Sequence, residues 1–338
     1  MRRVLVPREV AAPVATTGAA VHELRGKTMG TTWSVKVAVG ASGSPPAMHA
    51  RIQRCLDDIV AQMSPWEPDS DISRFNRAPA GSWHVLPADF FHVLAYALRA
   101  ARDSGGAFDP TAGALVNLWG FGPPRHHGDS AFGVPDPQAL TQAGASTGWQ
   151  RIVLDTAAQR AQQPGGALLD LSAVAKGFGV DRVARLLHDS GWHQHLVDVG
   201  GELRGAGTRP DGQPWWVALE APPPDPGLRG IAVQTIVALR GLSVATSGDY
   251  RRAFVAGGQR LCHSIDPISG RPISHGLASV SVLHRECMVA DAQSTALTVM
   301  GLEPGLGHAR RHGLAAHFVQ RSAAGLEEHL SDALVAML

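Results

Sequence analysis

Asp170-Leu171-Ser172-Ala173-Val174-Ala175-Lys176-Gly177-Phe178-Gly179-Val180-Asp181 is a polar, glycine-containing dodecamer set between two apolar segments. Ahead of it, Gly165-Gly166 reads as a turn and Ala167-Leu168-Leu169 as a short apolar run. Behind it, the segment Val180 to Leu187 carries apolar residues at helical spacing. The pattern predicts a strand-to-helix corner, where the free amides of a helix start solvate phosphate oxygens well. Lys176 adds a mobile cation, Asp170 adds a carboxylate, and Gly177 and Gly179 let a ligand approach the backbone. On this segment alone, an ordinary helix start stands beside that reading, with Ser172 as N-cap, Lys176 solvated and Asp170 in a turn.

The length of 338 residues and the 44% hydrophobic content allow one large core or two moderate ones. A net charge of +1, with Lys and Arg not gathered into a stripe, argues against nucleic-acid binding and against an anionic membrane surface. Cys55, Cys262 and Cys287 are isolated from one another, so neither a disulfide framework nor a structural zinc site is expected. His308 and His312 have i, i+4 spacing among Arg310 and Arg311 and read as a solvated helix face. Met1 to Ala20 holds no apolar block of signal-peptide length, no lipid-anchor cysteine and no transmembrane run. The chain as written is therefore expected in the cytoplasm, with residues 1–22 a flexible leader and residues 23–338 one domain.

Along the chain, Thr32 to Val39 alternates apolar and polar side chains as a half-buried strand does, with Met29 and Gly30 just before it. Pro46 to Met63 and Pro87 to Ser104 read as amphipathic helices, and the polar loop between them carries Trp66. An exposed Trp either folds back on the core or stacks on a ligand ring. In that loop Ser70 or Asp71 caps the short helix that follows. Ala107-Phe108-Asp109-Pro110 opens a turn into an aromatic and glycine-rich segment, where Trp119 and Phe121 read as core. His195 to Val199 is another alternating strand, and its Gly200-Gly201 turn is expected to aim amides at a cleft beside the central corner. Val233 to Leu239 and Leu242 to Thr246 read as neighbouring strands. The hydroxyl-rich loop Ala245 to Tyr250 has no paired histidine and no Gly-x-Ser-x-Gly, which excludes a hydrolase triad there.

Cys287 to Met300 reads as a helix on which Asp291 and Thr295, four apart, share one face. A carboxylate, a hydroxyl and waters suit Mg²⁺, which keeps part of its hydration shell and binds substrate phosphates; a local hydrogen bond is the other use of that spacing.

Taken together and in order, the clusters at Met29 to Thr32, Met63 to Asn76, Gly106 to Gly122, Asp170 to Asp181, Val197 to Glu202, Ala245 to Tyr250 and His263 to Thr295 resemble the ApbE-type flavin transferases. These are Mg-dependent enzymes that move FMN from FAD onto a protein hydroxyl, and the similarity runs from about Arg25 to Gly301. It implies that Met29, Trp66, Ala107, Phe108, Asp109, Asp170, Lys176, Thr246, Ser247 and Ile265 bind the flavin nucleotide. It adds the Ala173 carbonyl to Asp291 and Thr295 as a ligand of Mg²⁺, and it makes FAD the substrate. The partner is an acceptor protein presenting a Ser or Thr. Lys176 would neutralise a phosphate, and His263, whose unperturbed imidazole titrates near neutrality, is the candidate base. Many such enzymes are exported lipoproteins, which sets a periplasmic or membrane-anchored location beside the cytoplasmic one.

For fold, alternation in many segments and three or four amphipathic helices predict α+β architecture rather than repeated βαβ units. The resemblance implies a single large domain of mixed and antiparallel sheets with helices around a central cofactor cleft. An Mg²⁺-dependent FAD pyrophosphatase, with water in place of the protein hydroxyl, and a non-catalytic FAD carrier are the alternatives.

Overall fold

The computed structural model describes residues 2–7, 20–39, 45–124, 126–129, 132–224, 230–231 and 233–338. The first elements are β1 (Arg2–Leu5), β2 (Ala20–Thr28), β3 (Thr31–Val39), α1 (Pro45–Met63), α2 (Asp71–Asn76), β4 (Trp83–Val85), α3 (Ala88–Asp103), α4 (Gly113–Leu118) and α5 (Pro137–Ser146). Then come β5 (Val153–Asp155), β6 (Arg160–Gln162), α6 (Ala175–Asp189), β7 (His195–Val199), β8 (Glu202–Ala206), β9 (Trp215–Ala218), β10 (Gln234–Leu239) and β11 (Leu242–Gly248). The chain ends with β12 (Ala253–Ala256), β13 (Gln259–Cys262), β14 (Ile265–Asp266), β15 (Arg271–Pro272), β16 (Leu277–His284), α7 (Cys287–Met300), α8 (Leu302–His312), β17 (Ala315–Ser322), β18 (Gly325–Leu330) and α9 (Asp332–Val335).

The frame is an eight-stranded antiparallel sheet in the order β18-β17-β16-β11-β8-β7-β3-β2. Strand β3 shows why it forms: Trp33, Val35 and Val37 are buried on one face while Thr32 and Lys36 stay exposed on the other. Helices α1 and α6 cover that buried face, Ile52, Leu56, Val183 and Leu187 meeting Val35, Val37 and Val197. Helices α7 and α8 cover the other half of the same face, against Ala245, Val280, Val282 and Phe318. On the opposite face, the small sheet β1-β10-β9 packs Leu5, Trp215 and Val237 against Val244 and Leu283. The α+β expectation holds, in one domain of mostly antiparallel sheets. No described helix is long and apolar enough to cross a membrane.

Several expectations change. The leader expected over residues 1–22 begins with a strand, since Arg2–Leu5 pairs in parallel with Gln234–Val237 and buries Leu5 completely; strand β2 starts at Ala20, and residues 8–19 lie outside the described residues. Ala167 to Leu169 makes no strand; it forms a single parallel bridge, Leu168 to Ala112, so the corner is a bridge-to-helix turn. Strands β10 and β11 do not pair: the turn at Gly241 carries the chain from the small sheet into the large one. His308 is buried, not solvated, its Nε2 3.3 Å from Gln293 Oε1 and its ring stacked on His312, because α8 lays that face on α7.

Candidate active site at the junction of α6 and α7

Two helices that cross closely define the site. A Cβ at Gly177 would lie 2.8 Å from the Asp291 Cβ and closer still to the Cys287 carbonyl oxygen, so only glycine permits this approach. Each helix then caps the other. Asp291 Oδ2 accepts the Gly177 amide at 2.9 Å, and Asp181 accepts the Cys287 and Met288 amides at 3.0 and 2.9 Å while also pairing with Arg204. These are orphan donors of the first turns, satisfied in tertiary contact where neither helix has a side-chain N-cap of its own. Ser172 is therefore not the N-cap that the plain helix-start reading gave it; its amide donates to Asp170 Oδ1 at 2.8 Å in a turn before the helix. The capping also diverts the Gly177 amide, which an unbroken helix would aim at the Ala173 carbonyl four residues back.

Lys176, on the turn beside Gly177, pairs with Glu202 Oε1, while Glu202 Oε2 is buried with no partner among the described residues. Glu202 is 1% exposed and Asp291 3% exposed, and burial raises the pKa of both, opposed by Lys176. Burial pulls the Lys176 ammonium the other way, and the two carboxylates more than offset it. Two carboxylates around one ammonium leave the cluster short of positive charge, which suits a cation. Ser247 Oγ, on β11, joins this site through Ser294 Oγ and Thr295 Oγ1, each 2.9 Å away.

His263 lies within electrostatic reach of Lys176 and Arg251. Burial, with the charges of Arg252, Lys176 and Arg251, pushes its pKa down to about 4, so the imidazole is neutral at ordinary pH. Its Nδ1 is 3.3 Å from the Arg252 carbonyl, and its ring meets Phe121 edge-on. Arg251 lies over the Gly200-Gly201 turn, donating to the Gly200 carbonyl at 2.9 Å and pairing with Glu220. That turn does not serve as expected, because the Gly200 amide donates to the Thr32 carbonyl and the Gly201 amide to Asp198 Oδ1.

The other sequence-selected residues fall in three groups. Met29 sits in the β2–β3 turn at φ +48°, a costly conformation for a side chain. Residues 27–32 of that turn line a cleft of about 480 Å³, and Met29 Cε lies 3.4 Å from where a Cβ on Gly179 would be. Asp109 and Asp170 are brought together by the bond from the Asp170 amide to the Pro110 carbonyl, 2.8 Å. Asp109 itself is a frame residue, its carboxylate accepting from Thr111 N, Thr111 Oγ1 and Trp149 N, and burial raises its pKa. Ala107, Phe108 and Ile265 have buried side chains, and the amides of Ala107 and Phe108 are spent on the Ser104 carbonyl and Oγ, leaving carbonyls there for any ligand. Thr246 is not brought to Ser247: it points to the opposite sheet face and bonds Ser281 Oγ at 2.7 Å. Trp66 is 52% exposed in the turn between α1 and α2, and Ser70 caps α2 as expected. Trp119 and Phe121 are core, as expected, Trp119 donating to the Gly270 carbonyl at 2.8 Å.

Sequence reasoning missed Glu202, Asp181, Arg251 and Ser294. One signal was present for Glu202, a carboxylate opening a strand directly after a Gly-Gly turn. Asp181 offered none, since its partner Cys287 is 106 residues away. Among the described residues no group of three His, Cys, Asp or Glu side chains could hold a metal, so a cation here needs hydroxyl and carbonyl oxygens as well.

A profile of the ApbE family matches residues 29–318. A Haemophilus influenzae protein named FAD:protein FMN transferase is 39% identical over 319 residues, 93% of this chain and 90% of its own length. The solved flavinyl transferase ApbE of Pseudomonas stutzeri, in its apo form, superposes with a TM-score of 0.86 at 38% identity, covering 94% of this chain and 97% of its own. The flavin transferase ApbE from Vibrio cholerae gives 0.85 at 34% identity, over 95% and 100% of the two chains. On sequence and fold together, over almost its whole length, the chain belongs to the ApbE family.

Proposed function

We infer that this chain transfers FMN from FAD to an acceptor protein, as the relatives' names describe for them. The observation that carries the inference is the cluster of half-buried Lys176 with buried Glu202 and Asp291 at the start of α6, within electrostatic reach of His263 and Arg251. Cationic groups around a helix start suit an anionic diphosphate, and a cluster short of positive charge suits a metal bound with it.

Asp291, Thr295 and the Ala173 carbonyl would hold Mg²⁺. They fit it as hard oxygen donors, one a buried carboxylate and one a carbonyl whose usual helical donor is turned to Asp291. The ion, when bound, neutralises diphosphate charge and eases departure of AMP. Glu202 holds Lys176, whose ammonium meets a phosphate oxygen. With Nδ1–H donating to the Arg252 carbonyl, His263 keeps its Nε2 lone pair for the hydroxyl proton of an acceptor Ser or Thr. An anionic phosphate alongside raises the proton affinity of that imidazole from its low value. The hydroxyl oxygen bonds to the FMN phosphorus, the bond from that phosphorus to the bridging oxygen breaks, and AMP leaves with that oxygen and its electron pair. Met29, Trp66, Asp170, Ser247 and the backbone at residues 107–109 and 265 would orient the nucleotide.

The test is incubation of the purified chain with FAD, MgCl₂ and candidate acceptors. Intact-mass analysis should find FMN on an acceptor Ser or Thr with equimolar AMP, and Asp291→Ala should lower the rate by about 10² or more. FMN and AMP released with every acceptor unmodified would make the chain a pyrophosphatase.

A further inference from the structure

Strands β12 and β13 form a two-stranded ribbon that pairs with no other strand among the described residues. The chain runs from β13 directly into His263, whose amide donates to the Arg252 carbonyl at 3.0 Å and adds one rung to the ladder. Antiparallel alternation then makes Arg252 with His263, and Phe254 with Leu261, the mutually bonded pairs. Ala253 and Val255 on β12, and Arg260 and Cys262 on β13, turn their amides and carbonyls outward. Cys262 is buried, which closes the β13 edge at the end near His263. Val255 is 72% exposed and Ala253 half-buried, so the open edge is that of β12. Phe254 anchors the ribbon, stacked on His127 and packed against Phe121 and Phe132. Its charge has one sign: Arg251, Arg252 and Arg260 lie between Tyr250 and His263 with no carboxylate among them. Arg251 is engaged by Glu220, whereas Arg252 is exposed with no ion pair among the described residues, and Arg260 donates to the Asp249 carbonyl.

We propose that the open edge of β12 docks the acceptor protein through an extended, acidic segment that joins the ribbon as a third strand. The proposal rests on the transferase reading with His263 as base. A segment paired along Ala253 and Val255 runs one strand spacing, about 4.8 Å, outside β12 and about two from His263 on the β13 side of the ribbon, close enough for a flanking residue of the acceptor to carry its hydroxyl to the imidazole. Main-chain bonds select an extended backbone, and Arg252 and Arg260 select its carboxylates.

Val255→Pro removes an outward amide and leaves the β12–β13 ladder intact, while Val255→Thr keeps that amide. The probe is a short fluorescein-labelled peptide of Asp, Val and Thr, followed by anisotropy against the full chain. Wild type and Val255→Thr should bind it alike, Val255→Pro about tenfold or more weakly, with FAD affinity unchanged in all three. Joint Arg252→Glu and Arg260→Glu should weaken this peptide and strengthen one with Lys in place of Asp. No binding to wild type, or equal binding by wild type and Val255→Pro, overturns the proposal. Binding that follows the predicted order, together with FAD and MgCl₂ giving FMN and AMP while every acceptor stays unmodified, upholds the docking edge and sinks the transferase reading instead.

Discussion

Gly177 and His195 are the residues whose chemistry is most constrained by what surrounds them. A methyl group at Gly177 collides with the backbone of α7, so Gly177→Ala should destabilise by about 1–3 kcal/mol, read as a lower urea midpoint, and should displace Asp291. His195 is buried, with Nδ1 2.8 Å from the Trp192 carbonyl and Nε2 with no partner among the described residues. Burial pushes its pKa down to about 4. Unfolded, the imidazole takes a proton near pH 6.5, so between that value and about 4 the unfolded chain binds more protons and stability falls as pH falls. The loss reaches about 1.4 kcal/mol per pH unit at its steepest. Urea midpoints at pH 7 and pH 5 should therefore differ, and His195→Phe should lessen the difference. Buried His308, also pushed down to about 4, adds to the slope with the same sign.

Helices α6 and α7 work as a pair because each supplies a carboxylate to the first turn of the other. Asp181→Ala would strand the Cys287 and Met288 amides and Arg204 together, costing about 2–3 kcal/mol of stability. Its second effect separates it from a plain loss of stability: with α7 loosened, Asp291 is less well held and Mg²⁺ should bind more weakly, which isothermal titration checks. The periodicity that predicted both helices was local, i to i+4 apolar spacing along each segment. It showed that Asp291 and Thr295 share a face, but their partners across the junction belong to other elements. Strand β11 makes the same point: Leu242 to Thr246 read as a strand and Ala245 to Tyr250 as a loop, but the strand runs on to Gly248, and the packing of α7 on one of its faces separates Ser247 from Thr246.

Across the large sheet, the site joins the helix layer to the edge loops, while β1 closes the opposite face from the other end of the chain. Leu5→Ala should lower stability by about 2–4 kcal/mol through the cavity it leaves, measured by urea unfolding, while FAD affinity stays unchanged because the small sheet is remote from α6. A metal bound to the folded chain and not to the unfolded one raises the melting temperature with concentration. Thermal scans should rise with MgCl₂, and Asp291→Ala should abolish the rise. Of all this, the sequence alone determined the fold class, the span of most of the helices and of some strands, and the motif order that resembles one family. Those follow from side-chain periodicity and turn chemistry, which act over a few residues. Only the tertiary structure decided that Lys176 pairs with Glu202, that Asp291 and Asp181 exchange caps between helices, that Thr246 faces away, and that Arg2–Leu5 is a strand. Each depends on which surfaces the chain brings together over long separations, where burial makes a carboxylate find a donor and the sheet order determines which donor is near.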